Sequence, residues 1–244
     1  MRIGRSVTQW LQQKQVELGY HTSLGARQRF PPIGNNTVEE LRSRSIQQSA
    51  DYFQDQLPGI SLFSSDAELH TWVNRKLRAR DTLGLLLEFG YYTGTSAKRL
   101  TDGMPKDGGE PVLYSFDAFQ GLRDSWSAVG SSIGAFDLGG IEPESPPGVE
   151  LVVGWVEDTL PSWLASHPGT VSFAHFDMDV YPPSRFALDH IAPRLHSGSL
   201  LLFDEFHGYP GWQDHEFRAL NEVLAPADFR YVAIGPEQCL VEIQ

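Results

Sequence analysis

Two pairs of acids carry the first chemical signal in this chain. Asp177 and Asp179 follow the apolar run Val171-Ser172-Phe173-Ala174-His175-Phe176, and Asp204 and Glu205 follow Ser199-Leu200-Leu201-Leu202-Phe203. Each apolar run reads as a buried strand. The i, i+2 spacing of Asp177 and Asp179 puts both carboxylates on one side of an extended chain. In a parallel sheet, both strands end at the same edge, where α/β folds bind ligands. Four carboxylates crowded there repel one another and raise one another's pKa values. A hard divalent cation relieves that conflict, and oxygen-only donors favour Mg²⁺, Ca²⁺ or Mn²⁺ over zinc. The competing reading is that these acids cap helices or pair with Arg185 or Arg194.

A third acid, Glu88, sits in Leu83-Gly84-Leu85-Leu86-Leu87-Glu88-Phe89-Gly90-Tyr91-Tyr92-Thr93-Gly94-Thr95-Ser96. The spacing predicts a strand, a glycine turn, a hydroxyl cap and then a helix, the opening unit of a nucleotide-binding α/β domain. Glycines at 90 and 94 allow a tight bend and close approach to a ligand. Neither GxxxxGK[ST] nor GxGxxG is present, so a phosphate loop is excluded and an NAD-dependent dehydrogenase is disfavoured. An acid at the strand end would repel a pyrophosphate and attract a cationic ligand such as a sulfonium. The next strand, Val112 to Asp117, ends in an acid about twenty residues after the turn, where such folds bind ribose hydroxyls. The bland alternative for Asp117 is a cap on the following turn.

The remaining segments must position these groups. Residues 1–80 read as a helical N-terminal extension and residues 81–244 as the main domain. Within the extension, Ser6 to Leu18 suits a short helix and His21 to Asn36 a loop; the extension reads as a cover on the sheet or a dimer surface mixed with a lid or substrate wall, Arg27–Asn36 being the part expected to touch a substrate. Thr37-Val38-Glu39-Glu40 reads as a capping box opening a helix to about Gln56, and Asp66 to Ala79 as another helix. Gly130 to Val149 reads as an insertion or mobile loop at the ligand end. A strand over Glu150–Gly154 precedes Trp155, which either stacks on a base or packs under a helix starting near Pro161. Pro182-Pro183-Ser184 starts a helix running to Leu195, and Asp214 to Leu224 forms another. Phe206 to Trp212 forms an aromatic loop holding His207. Phe229–Ile234 and Gln238–Ile243 close the sheet as a strand pair. The expected fold is α/β, a doubly wound, mostly parallel, seven-stranded sheet.

Composition narrows the partners. The chain has 244 residues, 41% hydrophobic, with a formal net charge of −12. Such acidity without a basic patch argues against nucleic acid. The one basic cluster, Arg75 to Arg80, suits a helix C-terminus. No apolar run reaches membrane-spanning length. A single cysteine, Cys239, excludes an internal disulfide and a cysteine-based zinc site, and a reducing cytoplasm is the expected location.

Taken together, EFGYYTGTS, FDAFQGL, HFDMDVY and FDEF, in this order and spacing, resemble the macrocin O-methyltransferase-like family of class I S-adenosylmethionine-dependent methyltransferases. The resemblance covers residues 80 to 225 and leaves the first eighty aside. It implies S-adenosylmethionine and Mg²⁺ as cofactors and a small-molecule acceptor, a sugar or polyol hydroxyl of a natural product. It places Glu88, Gly90 and Ser96 on the methionine part, Asp117 on the ribose and Trp155 near the adenine, with Tyr92 and Gly94 also among the cofactor-binding residues. It makes Asp177, Asp204 and Glu205 metal ligands, with Asp177 also bordering the cofactor, and Asp179 the candidate base, with His207 and His175 as rivals. Glu205 stands where the family often has Asp, and Phe176 and Met178 also depart from its pattern. An N-terminal helical region makes dimers in this family, so a homodimer or higher homo-oligomer is expected. The alternatives are a methyltransferase acting on nitrogen, carbon or a catechol, and a non-catalytic binding module on the same fold.

Overall fold

A computed structural model of the chain describes residues 37–80, 84–102, 112–126 and 132–244. The readings over Ser6–Leu18 and His21–Asn36 lie outside the described residues. Compactness divides the chain into Met1–Leu41 and Arg42–Gln244. The second unit takes in residues 42–80 together with the sheet, so this division does not fall at the boundary drawn near residue 80. Residues of that stretch are part of the sheet's own core, as Leu69, Val73 and Leu77, all fully buried, show.

The helices are α1 (Thr37–Gln54), α2 (Asp66–Arg78), α3 (Thr95–Thr101), α4 (Val156–Ser166), α5 (Tyr181–Ile191) and α6 (Glu216–Val223). The strands are β1 (Ser61–Leu62), β2 (Leu85–Phe89), β3 (Leu113–Asp117), β4 (Val149–Val153), β5 (Val171–Phe176), β6 (Leu195–Phe203), β7 (Phe229–Ile234) and β8 (Cys239–Ile243). They form one eight-stranded sheet in the order β1-β7-β8-β6-β5-β2-β3-β4. Only β8 runs antiparallel to its neighbours, β6 and β7. The chain steps outward from β2 in both directions, through β3 and β4 on one side and β5 and β6 on the other. The topological switch therefore lies between β2 and β5. The strand beyond the seven expected is β1, two residues long, which adds parallel to β7 through Ser61↔Ala233 and Leu62↔Ile234. Two residues carry no periodicity, so sequence pattern cannot find such a strand.

Register sets what the central strands present. Phe89 pairs with Phe116 on β3 and Phe176 on β5, and Phe176 pairs with Phe203 on β6. Their rings lie 5.3, 5.2 and 4.8 Å apart in turn, all buried. One position earlier, on the opposite face, Glu88 pairs with Ser115 and His175. One position later the strands end together. The Gly90 N–H donates to Phe116 O at 2.9 Å, Asp177 N–H to Phe89 O at 2.8 Å and Asp204 N–H to Phe176 O at 2.9 Å.

Several ends differ from the sequence reading. β5 stops at Phe176 rather than continuing to Tyr181, and Asp179 takes a left-handed φ of 62°. The one-sided spacing argument for Asp177 and Asp179 therefore does not hold, because the chain between them is not extended. α4 starts at Val156, not near Pro161, with Glu157 and Asp158 in its first turn. α5 ends at Ile191 and passes through a short 3₁₀ turn into β6. The loop read as mobile is instead stitched to the segment after β3. Leu138 and Gly140 N–H donate to Phe119 O, Leu122 N–H donates to Ala135 O, and Tyr91 Oη donates to Glu144 O at 3.1 Å.

Gly90 has φ 95°, and a Cβ there would run into the Asp177 carbonyl. The absence of a side chain lets the Asp177 backbone, just past β5, approach the turn closely. Gly90→Ala should therefore lower stability by about 2 kcal/mol or more. Urea denaturation should show the midpoint falling with an unchanged m-value.

Candidate functional site

The C-terminal ends of β2, β3, β5 and β6 form one edge, and only some of the sequence-selected residues face outward there. Glu88 is fully buried inside the sheet's polar row. It accepts Ser115 Oγ at 2.5 Å, Ser96 Oγ at 2.8 Å and His175 Nδ1 at 3.2 Å. Its carboxylate thus serves interior partners and offers no surface to a ligand. Ser96 turns inward to the same acid. The helix cap is Gly94, with φ 78°, not a hydroxyl, and a Cβ at Gly94 would strike the Tyr91 ring.

Asp117 organises the glycine turn. Its Oδ2 accepts the N–H groups of Tyr91 and Tyr92 at 2.8 and 2.7 Å, and its Oδ1 accepts that of Phe119 at 2.7 Å. Tyr92, half-buried with φ 47°, sets its ring 5.5 Å from Phe136. Trp155, at the start of α4, carries the Arg123 guanidinium over its ring at 3.7 Å, and Arg123 Nη1 lies 3.7 Å from Glu157. One face of that indole is therefore covered by protein.

Beside the turn lie the acids. Carboxylate oxygens of Asp177, Asp179 and Glu205 come within 4.8 Å of one another. Asp177 and Glu205 are half-buried, and Asp179 is buried. The arginines proposed as their partners are engaged elsewhere. Arg185 pairs with Asp189 and Glu222, and Arg194 donates to the His167 and Leu164 carbonyls. Burial, and after it the charge of Asp204, raises Asp177 and Glu205 well above the usual carboxylate range. Burial, Asp204 and Asp117 push Asp179 up to about 7.

Asp204 turns away from that trio. Its Oδ1 accepts the Gln238 amide and lies 3.6 Å from His175 Nε2. Burial would raise its pKa, but the neighbouring His175 imidazole and its charge, aided by Gln238, hold it below the usual value. His175 is the converse case. Burial lowers its pKa, and the carboxylates of Asp204 and Glu88 beside it outweigh this and raise it. The expected grouping of Asp177, Asp204 and Glu205 is thus replaced by Asp177, Asp179 and Glu205, because His175 and Gln238 claim Asp204. The imidazole of His70, on α2, stacks edge-on to His175 at 5.8 Å, and burial and the His175 charge lower it to about 3. His175 is a bridge inside the sheet, not a base facing an acceptor.

His207 does not join the acids. It is 7% exposed, its Nε2 donates to the Gln238 carbonyl at 3.2 Å, and its ring packs edge-on against Phe53. Burial lowers its pKa to about 4. These contacts anchor the loop after β6 and correct the expectation of a base there. Sequence reasoning missed Glu216, which is fully buried at the start of α6 and electrostatically coupled to Asp204 and Asp179. Its signal, an acid in the first turn of a helix, is the commonest of all surface patterns.

Comparison with known proteins bears on this geometry. Residues 87–206, from within β2 to just past β6, match the family described as a methyltransferase domain. In sequence comparison no curated protein matches the chain. Among solved structures, CalS11, a calicheamicin methyltransferase, is 22% identical over 88% of this chain and 94% of its own, with a TM-score of 0.58. The apo form of CalS11, described as a TDP-rhamnose 3'-O-methyltransferase, is 23% identical over 88% and 96%, with a TM-score of 0.53. The O-methyltransferase NovP is 16% identical over 73% and 79%, with a TM-score of 0.54. At such identities the likeness is one of fold, the Rossmann-like fold of class I methyltransferases. The matched stretch is similar to a methyltransferase domain over just under half of the chain, and the protein is an enzyme of the methyl-transfer class. Among the described residues, no helix is long and apolar enough to cross a membrane.

The acids also fix a pH dependence. A carboxylate whose folded pKa lies above its unfolded value of about 4 binds more protons folded than unfolded between the two, so stability falls as pH rises through that window. Asp177, Asp179 and Glu205 all shift in that direction, Asp179 to about 7. His70 and His207, lowered to about 3 and 4, act in the opposite sense up to about pH 6.5, so in EDTA the fall in melting temperature should appear between pH 6.5 and about 7.5. Millimolar Mg²⁺ should flatten the fall. A melting temperature that rises steadily over this range in EDTA would contradict the reading.

Proposed function

We propose that this chain is an S-adenosylmethionine-dependent, Mg²⁺-assisted O-methyltransferase acting on a sugar or polyol hydroxyl of a small-molecule natural product. The observation that supports it best is the trio Asp177, Asp179 and Glu205, whose carboxylate oxygens converge within 4.8 Å beside the Gly90–Gly94 turn. The described relatives of similar fold include O-methyltransferases, one of them described as acting on TDP-rhamnose.

The donor set fits a hard divalent cation. All three groups are carboxylates, and Glu205 Oε2 has no hydrogen-bond partner although it is buried. Such a set suits Mg²⁺ better than a thiophilic metal. Asp177 and Glu205 would hold it, and when bound it would supply Lewis-acid stabilisation to a forming alkoxide. Asp179 takes the hydroxyl proton. In the cation-free protein burial, Asp204 and Asp117 hold its pKa at about 7, and a cation on Asp177 and Glu205 would lower it. Asp204, kept ionised by His175 and Gln238, fixes the field around that base.

On the cofactor side, the Asp117-held turn shapes the seat for the methionine and ribose. Asp117 Oδ1 accepts one backbone N–H and so retains a lone pair for a ribose hydroxyl. Arg123 and Trp155 border the adenine end. The sulfonium methyl needs no activation, only in-line placement against the acceptor oxygen.

Calorimetry should show S-adenosylmethionine and its demethylated product binding in the micromolar range. No heat at high micromolar concentration would end the cofactor assignment. Against a panel of nucleotide sugars and polyols, Asp179→Asn should lower kcat by about 10²–10⁴-fold and leave cofactor affinity within a few-fold. Asp177→Asn or EDTA should abolish turnover while the cofactor still binds. Turnover that survives both would remove the cation from the mechanism.

A further inference from the structure

Where Asp204 turns away from the acid trio it meets two histidines. One ring nitrogen each of His70 and His175 and a carboxylate oxygen of Asp204 come within 4.8 Å of one another. The three residues arrive from α2, from β5 and from the end of β6. The histidines are 2% and 0% exposed. Burial keeps the His70 imidazole neutral, the form that binds metals.

His175 is prepared as a ligand by its other nitrogen. Its Nδ1 lies 3.2 Å from Glu88 Oε1, an acceptor, so Nδ1 carries the proton of that contact. The Ser115 and Ser96 hydroxyls fix Glu88 in turn. A carboxylate behind the imidazole is the usual support of a metal-binding histidine, since it sets the tautomer and the ring orientation. The Nε2 lone pair is then left for a ligand beside Asp204.

The gap between Nε2 and Asp204 Oδ1 has the width of a coordination sphere. Its rival occupant is a proton on Nε2, which the flanking carboxylates favour. Such a charged pair closes to about 2.7–2.9 Å. Here the atoms stand 3.6 Å apart, and Nε2 has no hydrogen-bond partner. Two ligands of a tetrahedral Zn²⁺, each about 2.0–2.1 Å from the metal, stand roughly 3.3–3.4 Å apart. Two further buried atoms, His70 Nδ1 and Gln238 Oε1, also lack partners. Gln238, 3% exposed, touches both His70 and Asp204 through its amide Nε2. Turned over, that amide would offer its oxygen as a fourth ligand. Orphaned polar atoms in an interior are costly, and one bound cation would satisfy several of these together.

We propose that His70, His175 and Asp204 form a site for one divalent transition metal of the Zn²⁺ class, separate from the carboxylate trio. Two imidazoles select such a metal over Mg²⁺ or Ca²⁺. The Asp204 side chain, 26% exposed, gives it a way in. The bound metal ties α2 to the ends of β5 and β6, so its role is structural. Nothing in this site depends on the methyl-transfer reading or on a cation at Asp177 and Glu205.

The test is Zn²⁺ titration by calorimetry after removal of metals with EDTA, run in millimolar Mg²⁺ to occupy oxygen-only donors. Wild-type protein should take up one tight equivalent. Zn²⁺ at a hundredfold excess over its Kd should raise the melting temperature by about 5–10 °C. His70→Gln should weaken Zn²⁺ binding by tenfold or more and lose most of that gain, while its melting temperature in EDTA reports whether it folds. Wild-type crystals soaked in Zn²⁺ give a readout free of any variant: the anomalous peak should lie among His70, His175 and Asp204. No tight equivalent, affinity within twofold of wild type in folded His70→Gln, or a peak only at the carboxylate trio or at surface histidines would each overturn the proposal.

Discussion

The phenylalanine row across β3, β2, β5 and β6 is the constraint that the site depends on. Phe116, Phe89, Phe176 and Phe203 stand in register on one face, all of them buried. A one-residue slip of any strand would move its phenylalanine to the other face and its neighbours with it. Each fully buried phenylalanine is worth about 1.5–3 kcal/mol of transfer free energy, so the register is strongly specified. The residues that follow the row, Asp117, Gly90, Asp177 and Asp204, reach the same edge because the row is fixed. The site is thus aligned by apolar packing, and the polar groups inherit their positions.

The opposite face pays for that alignment with buried polarity. Ser115, Glu88 and His175 lie side by side in the sheet, and His175 carries the connection on to Asp204. A buried ion network of this kind stabilises little in itself, but losing one member leaves the others uncompensated. Its use here is directional. It holds Asp204 ionised and turned aside, and that charge in turn raises the pKa values of Asp177, Asp179 and Glu205. The glycine turn and the acid cluster, far apart in sequence, are linked through Glu88 and His175 with no ligand required.

Much of this was legible in the residues themselves. Apolar runs bounded by acids gave the parallel strands and the edge where Asp117, Asp177, Asp179, Asp204 and Glu205 meet. What could not be read were directions. Glu88 looks like a ligand-facing acid until register places Ser115 and His175 against it. His207 looks like a base until burial turns it onto Phe53 and the Gln238 carbonyl. Asp204 and Glu205, adjacent in sequence, diverge because Gln238, from the turn before β8, reaches only one of them. Glu216 carried no signal, since its burial is decided by the anchors of the preceding loop rather than by its own neighbours in sequence.

One residue outside the chemistry is informative in another way. Cys239, the chain's single thiol, is fully buried on β8 directly opposite Phe203, one step from Asp204. A thiol reagent can reach it only when the structure around it opens, so the rate of its modification is a clock for the opening of this part of the core. The protein thereby carries an intrinsic reporter of how often the floor beneath its acids comes apart, readable without an introduced label.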